Sequence, residues 1–349
     1  MDTFYDDPHT KPPLDASLYS LTDPDELQFF RTLTGIQDER ELKQHVLNVQ
    51  KRAYDLYGYP CIRRFNFLRL NNSRLPGYPK ALKLLQDPDH KHPILLDIGC
   101  CFGNDTRKFI IDGWPAQEVI ASDLREGMYS IYFRPIRFWQ CGHELFNSTP
   151  SSFPVTFIQG DIFDPAFLSL PSTSSNPNPN PNPNPNPNST FELAQVESQP
   201  TRPNLSTLKS LTPLLHRVSA IHASALFHLF SKAQQLELAQ RLAALLLPQK
   251  GSIIFGTHVA RREKGFRKSA VQKINNGTGL GSTDSHSASA PECEPQATPI
   301  LMFCHSPSSW RADVGSNKFS MGPAHLRFAL KLNWCITRAW IYYTTQLLV

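Results

Sequence analysis

Through the first ninety residues, apolar positions recur at helical spacing. Asp23-Pro24-Asp25-Glu26 reads as a capping box with proline at the first helical position, and Gly35 stands where that helix should stop. Between Asp38 and Tyr57, the residues Leu42, Val46, Val49, Ala53 and Leu56 form one apolar face, and Gly58 with Pro60 ends the run. A face of that kind requires a packing partner.

From Pro93 onward, short apolar and β-branched runs alternate with helical segments, the pattern of a parallel sheet built from βαβ units. Strands are expected at 93–98, 118–122, 155–158, 217–221 and 252–256, and the last ones at 325–332 and 338–344. Before the fifth strand, Ser231 and Gln234 predict a second capping box, on a helix that Pro248 ends. Two segments fall outside the alternation. Residues 171–205, where asparagine and proline alternate from Asn176 to Asn188, should be disordered and contribute almost nothing to a core. Residues 261–298, rich in Ser, Thr, Gly and Pro, read as a flexible loop. The organisation expected is an N-terminal helical extension, 1–92, serving as a substrate lid, followed by an α/β domain, 93–349, that carries both inserts.

Candidate chemistry lies at the ends of the first three strands. Ile94-Leu-Leu-Asp97-Ile-Gly99-Cys100-Cys-Phe-Gly103-Asn-Asp105 places an acid at the end of a buried strand, then two glycines where the chain turns into a helix. Glycine turns of this kind serve nicotinamide cofactors, flavins and plain structural corners as well. A dinucleotide fingerprint starting at Gly99 would want glycines at 101 and 104, which are Cys101 and Asn104, so the pyrophosphate cradle is broken. S-adenosyl-L-methionine carries no phosphate and does not need it. Asp123-Leu124 ends the second strand, where a carboxylate can accept from ribose hydroxyls, although a dehydrogenase would also place an acid here. Asp161-Ile162 follows the third strand and suits an adenine amino group and ring face. Either acid could instead cap a helix or a turn. His222 and His228 follow the fourth strand on the substrate side; each is a candidate base or acceptor-orienting group, and each could equally be a structural histidine.

Composition narrows the partners. The net charge of +5 over 349 residues forms no basic stripe with interleaved aromatics, which argues against a nucleic-acid partner. No apolar run approaches the roughly 18 residues of a membrane span, and the N-terminus lacks a basic, then hydrophobic, leader, so a cytoplasmic protein is expected. Seven cysteines without repeated CxxC spacing read as reduced thiols, with no metal site among them.

With Tyr59-Pro-Cys-Ile-Arg63, Gly142-His-Glu-Leu-Phe146, Leu226-Phe-His228-Leu229 and His305-Ser-Pro-Ser-Ser-Trp310 added to the glycine turn, the chain resembles class I S-adenosylmethionine-dependent methyltransferases, and more narrowly the fungal group acting on meroterpenoids and related secondary metabolites. The resemblance implies a Rossmann-like sheet, mostly parallel, of seven strands with the last antiparallel. It implies O-methylation of a small-molecule acceptor at a carboxylate or hydroxyl, and cofactor contacts at Asp97, Gly99, Cys100, Gly103, Asp123, Leu124, Asp161 and Ile162. A homodimer is compatible with it. The alternatives are an NAD(P)-dependent reductase and a non-catalytic interaction protein of the same fold. The second draws on two departures from the family pattern: about a dozen extra residues near 126–137, beside the ribose acid, and a divergent C-terminus after Trp310.

Overall fold

The structure, a computed structural model of the chain, describes residues 11–124, 138–170, 202–267, 302–310, 312, 320–321, 324–325, 333–337 and 340–348. The helices in order are α1 (Pro24–Thr34), α2 (Glu39–Leu56), α3 (Pro60–Arg63), α4 (Tyr78–Lys83), α5 (Asn104–Ile111), α6 (Phe138–Leu145), α7 (Lys232–Leu245) and α8 (Pro307–Trp310). The strands are β1 (Ile94–Ile98), β2 (Val119–Asp123), β3 (Thr156–Gln159), β4 (Val218–His222), β5 (Ile253–Ala260), β6 (Gly265–Arg267), β7 (Met302–Cys304), β8 (Ser320–Met321), β9 (Ala324–His325), β10 (Asn333–Thr337) and β11 (Trp340–Leu348).

The main sheet runs β10-β11-β5-β4-β1-β2-β3. Its parallel-paired part comprises five strands, β1 to β5, not seven. The other two extend the β5 edge as an antiparallel pair. This is the Rossmann-like arrangement expected. β1 and β4 are buried at every position, as central parallel strands covered on both faces must be. Because β1 pairs with β2 on one side and β4 on the other, the chain reverses its winding there, and a crevice opens beyond the C-terminal ends of those strands.

The last strands sit later than the apolar pattern placed them: β10 spans 333–337 and β11 spans 340–348, not 325–332 and 338–344. The local pattern sets no boundary because the whole stretch is rich in apolar and β-branched residues. The register is set by pairing, from Ile341 opposite Ala260 to Leu348 opposite Ile253. The same pairing extends β5 to Ala260, four residues beyond the expected end.

Three further expectations are corrected. Glu26 does not close a capping box on α1. Asp23 accepts from Asp25 N and Glu26 N, but Glu26 is buried and turns away to accept from Leu70 N at 3.0 Å and Arg69 at 2.8 Å, because a buried carboxylate needs donors and a cation beside it. At the end of the first insert, Leu205 is buried in the core beside α7 and Arg202 pairs with Glu118. The start of the second insert forms β6, paired antiparallel with β7. The remainder of both inserts, 171–201 and 268–298, lies outside the described residues, as do the extra residues 126–137. The capping box of α7 is complete, with Ser231 and Gln234 bonded reciprocally.

The apolar face of α2 is buried in a core shared with α1 that also takes in Phe102 of the glycine turn and Phe138, Cys141, Leu145 and Phe146 of α6 and its C-terminal end. The N-terminal helices thus pack directly on the turn after β1. Among the described residues, no helix is long and apolar enough to cross a membrane.

Candidate cofactor site

The turn between β1 and α5 is held by its N–H groups, which bond mostly to the end of β2. Gly99 N and Cys100 N both donate to Ser122 O, at 2.8 and 3.2 Å, and Gly103 N donates to Cys100 O at 2.7 Å. Cys101 N donates to Asp123 Oδ2 at 2.8 Å, which ties the acid at the end of β2 to the turn. Gly99, Cys101 and Gly103 all have positive φ, so the chain changes direction sharply within five residues. Gly103 is required twice over: its φ is +69°, and a Cβ there would lie 2.5 Å from Trp139 Cζ3. A Cβ on Gly99 would lie 3.3 Å from Leu226, which follows β4. Beneath the turn, buried Arg107 donates to Phe102 O at 2.9 Å and Gly103 O at 3.2 Å, with its guanidinium over the rings of Phe146 and Phe153.

This bonding bears on the ligand. A dinucleotide pyrophosphate binds to the free backbone N–H groups of such a turn. Here the N–H groups of residues 99, 100, 101 and 103 are all committed internally. The donor set therefore fits a cofactor whose polar parts are hydroxyls and an adenine amino group, for which carboxylates at the ends of β2 and β3 are the appropriate partners. Asp123 and Asp161 stand at those ends, partly exposed; one oxygen of Asp161 accepts from Phe163 N at 2.9 Å, so this acid also holds its own turn. Leu124 is half-buried, and Ile162 is buried in the core, its carbonyl bonded by Arg241 at 3.1 Å. The Cys100 and Cys101 thiols are pushed well above their ordinary pKa by burial, which makes them packed side chains and not nucleophiles.

Asp97 and His222 form a buried polar core behind the turn. Asp97 Oδ1 lies 2.9 Å from His222 Nδ1, and Oδ2 accepts from Thr106 Oγ1. His222, 2% exposed, places Nε2 2.9 Å from Ser224 Oγ. Ser224 Oγ also accepts from Thr257 N at 3.1 Å and donates to Asn72 Oδ1 at 3.1 Å, and Asn72 Nδ2 donates to Asp105 Oδ2 at 2.8 Å. If His222 is an imidazolium, each donor in this chain meets one acceptor: Nδ1–H to Asp97, Nε2–H to Ser224, and the Ser224 hydroxyl to Asn72. Burial disfavours that charge, but the negative charge and hydrogen bond of Asp97, with Asp105 beyond, outweigh it and raise the His222 pKa above the ordinary histidine value. Burial also raises the Asp105 pKa.

Residues 16–68 match the family model described as meroterpenoid methyltransferase N-terminal domain. The asnovolin E/chermesin D methyltransferase nvfJ of Aspergillus novofumigatus is 28% identical over 229 residues, 66% of this chain and 62% of that protein. The O-methyltransferase atr3 of Stereocaulon alpinum is 42% identical over 84 residues, 24% of this chain and 23% of that protein. The O-methyltransferase phiE of a fungal species is 28% identical over 211 residues, 60% of this chain and 52% of that protein.

The chain is similar to fungal methyltransferases.

It spans less than two thirds of the length of each of these relatives. Among solved structures, a Burkholderia thailandensis 1,6-didemethyltoxoflavin-N1-methyltransferase aligns at a TM-score of 0.39 with 11% identity, covering 90% of this chain and 91% of that one.

In the methyltransferase-like chain, the segment matching the N-terminal model contains α1, α2 and α3, the helices packed on Phe102 and α6. Of the residues expected at the site, Asp97, Gly99, Cys100, Gly103 and Asp123 cluster at the turn, with His222 joined to Asp97. Asp161-Ile162 lies one strand further along, at the end of β3, and His228 lies in the short 3-10 helix Phe227–Leu229. Asn72, Ser224 and Thr257 were not anticipated. Asn72 sits in a polar run, Asn71-Asn72-Ser73-Arg74, that carries no periodic signal. Ser224 could have been flagged as a small polar residue just past a buried strand end.

Proposed function

We propose that the protein is an S-adenosylmethionine-dependent methyltransferase that transfers the methyl group to an oxygen, a carboxylate or hydroxyl, of a small secondary metabolite. The observation that carries this reading is the turn from Gly99 to Gly103, whose N–H groups at 99, 100, 101 and 103 are already bonded within the protein while an acid stands at the ends of β2 and β3. The similarity to proteins named as methyltransferases and O-methyltransferases supports it.

When bound, the cofactor supplies an electrophilic methyl carbon on a sulfonium; the acceptor oxygen forms the new C–O bond as the C–S bond breaks and its electron pair stays on sulfur. The chain's own residues bind and orient. Asp123 would accept from the ribose hydroxyls, Asp161 and Ile162 would meet the adenine, and Gly99 and Gly103 let the backbone turn close beside the ligand. His222 is committed on both ring nitrogens, so its part is to hold Asp97 and the strand ends in place. A carboxylate acceptor is already ionised near neutral pH and needs no base; a hydroxyl acceptor must give up its proton as the C–O bond forms, and His228 is the remaining candidate to take it. A cytoplasmic location and no nucleic-acid partner belong to the same reading, with a homodimer as a compatible assembly. Calorimetric titration with S-adenosylmethionine, S-adenosylhomocysteine and NADH tests it. Binding of the first two and not the third is expected; NADH binding alone would replace it with a reductase.

A further inference from the structure

Beyond the turn, one cluster of buried polar rings is used by none of the above. His258 lies in β5, three residues past Phe255, which pairs with His222. It is 4% exposed, and neither of its ring nitrogens has a hydrogen-bond partner among the described residues. Trp310, at the end of α8, is 1% exposed, and its Nε1 is likewise unpartnered among them. The two rings are 4.5 Å apart, and Phe227 contacts both, at 5.3 and 5.0 Å. Buried polar groups are almost always hydrogen-bonded, and leaving one unmet is costly. Three such ring nitrogens on two touching side chains point to a ligand that meets them.

The cluster is also in the right place. The loop after β4 is bonded along β5, Ala223 N to Phe255 O at 2.9 Å and Ala225 N to Thr257 O at 2.6 Å. The next residue, Leu226, lies against Gly99, and Phe227 then reaches His258 and Trp310. The rings therefore stand one loop away from the cofactor turn, past the C-terminal ends of β1 and β4, on the side where ligands of open α/β sheets bind.

We propose that His258 and Trp310 form the face of the acceptor pocket that hydrogen-bonds an oxygen function of the substrate. This rests on the methyltransferase reading and gives it an acceptor side. Burial, with His228 and His305 nearby, pushes the His258 pKa down to about 3, so the ring is neutral at working pH. A neutral imidazole and an indole present one N–H each, together with one imidazole lone pair. Two donors suit a carboxylate or carbonyl oxygen, and the lone pair can take a hydroxyl proton in a hydrogen bond. An ammonium group would find only the single acceptor and would leave both N–H groups unmet.

The test uses the full chain, its His258→Phe and Trp310→Phe variants, and 4-hydroxybenzoate as probe, an aromatic ring bearing both a carboxylate and a hydroxyl. Each protein is titrated by calorimetry, first with S-adenosylhomocysteine and then with the probe at saturating S-adenosylhomocysteine, and its melting temperature is recorded without ligand. S-adenosylhomocysteine should bind all three alike, within about twofold, while the probe binds each variant about tenfold or more weakly than wild type, as loss of a hydrogen bond in a dry site predicts. His258→Phe should melt at or above the wild-type temperature, since it removes two unmet nitrogens and keeps an aromatic ring in place. Equal probe affinity in all three proteins, or no probe binding by wild type, overturns the assignment. A His258→Phe protein that melts well below wild type marks the ring as structural and overturns it for His258, with Trp310→Phe still deciding the other half. Failure of wild type to bind S-adenosylhomocysteine is a different result: it sinks the cofactor reading and this assignment with it.

Discussion

His222 Nδ1 lies 2.9 Å from Asp97 Oδ1, joining the ends of β4 and β1 at the point where the sheet reverses its winding. Both side chains are almost fully buried, so the pair is neither a surface ion pair nor an exposed catalytic base. It lies under the cofactor turn, and through Ser224 and Asn72 it reaches the polypeptide before β1.

Removing one partner of a buried, hydrogen-bonded charge pair leaves the other uncompensated. Asp97→Ala should therefore lower unfolding free energy by about 3–5 kcal/mol. Asp97→Asn, which keeps an acceptor for His222, should cost less. Urea denaturation followed by circular dichroism measures both; equal losses would show that the charge on Asp97 is immaterial.

The same network sets a pH dependence. The pKa values of His222 and Asp105 are both raised in the folded protein, so the folded state binds more protons than the unfolded one. The His222 contribution is fully present below its ordinary value of 6.5 and is lost as pH rises through the folded pKa. The Asp105 contribution is present below 3.8 and is lost as pH rises through its own folded value. Asp105→Asn should thus be more stable than wild type at neutral pH, the gap closing as pH falls toward 3.8. His222→Asn should flatten the decline of stability above pH 6.5. Melting temperatures across the pH range, in matched buffers, check both.

Gly103→Ala combines a left-handed backbone with a collision against Trp139. A loss of about 2–4 kcal/mol is expected, from backbone strain and overpacking together. Trp139→Leu in the same chain should recover only the steric part. A double-mutant cycle on thermal stability separates the two; no coupling between the sites would mean that the ring does not set the need for glycine.

Asp123 both anchors the turn through Cys101 N and stands where ribose hydroxyls would be met. Asp123→Ala should weaken S-adenosylhomocysteine binding about 10- to 100-fold, the worth of a charge-assisted hydrogen bond. Asp161→Ala should weaken it less: each carboxylate already accepts from one backbone N–H, and a single adenine amino group offers Asp161 fewer hydrogen bonds than two ribose hydroxyls offer Asp123. Calorimetry ranks the two, and a larger effect at Asp161 would shift the polar centre of the site toward the adenine side.

Local pattern was enough to read the helices at 24–34, 39–56 and 232–245, the five parallel strands to within a residue at their starts, and the glycine turn with its acids. Each is written in neighbouring residues: a cap, a period of apolar positions, a glycine where φ is positive. The register of β11 on β5 was not legible in this way, because hydrogen bonding between distant segments chooses it from a stretch that is rich in apolar and β-branched residues over its whole length. Nor was the partner of Glu26, since a buried carboxylate takes whatever donors the fold brings to it.

The amino-acid sequence by itself determined the fold class and which strand ends carry acids, because periodicity and glycine placement are local properties. Only the tertiary structure decided what those residues do: that the N–H groups of residues 99, 100, 101 and 103 are already spent on Ser122, Asp123 and Cys100, that His222 is tied to Asp97 and Ser224, and that His258 and Trp310 pack with ring centroids 4.5 Å apart. Hydrogen-bond satisfaction and burial depend on which distant segments are brought together, and no spacing along the chain encodes that.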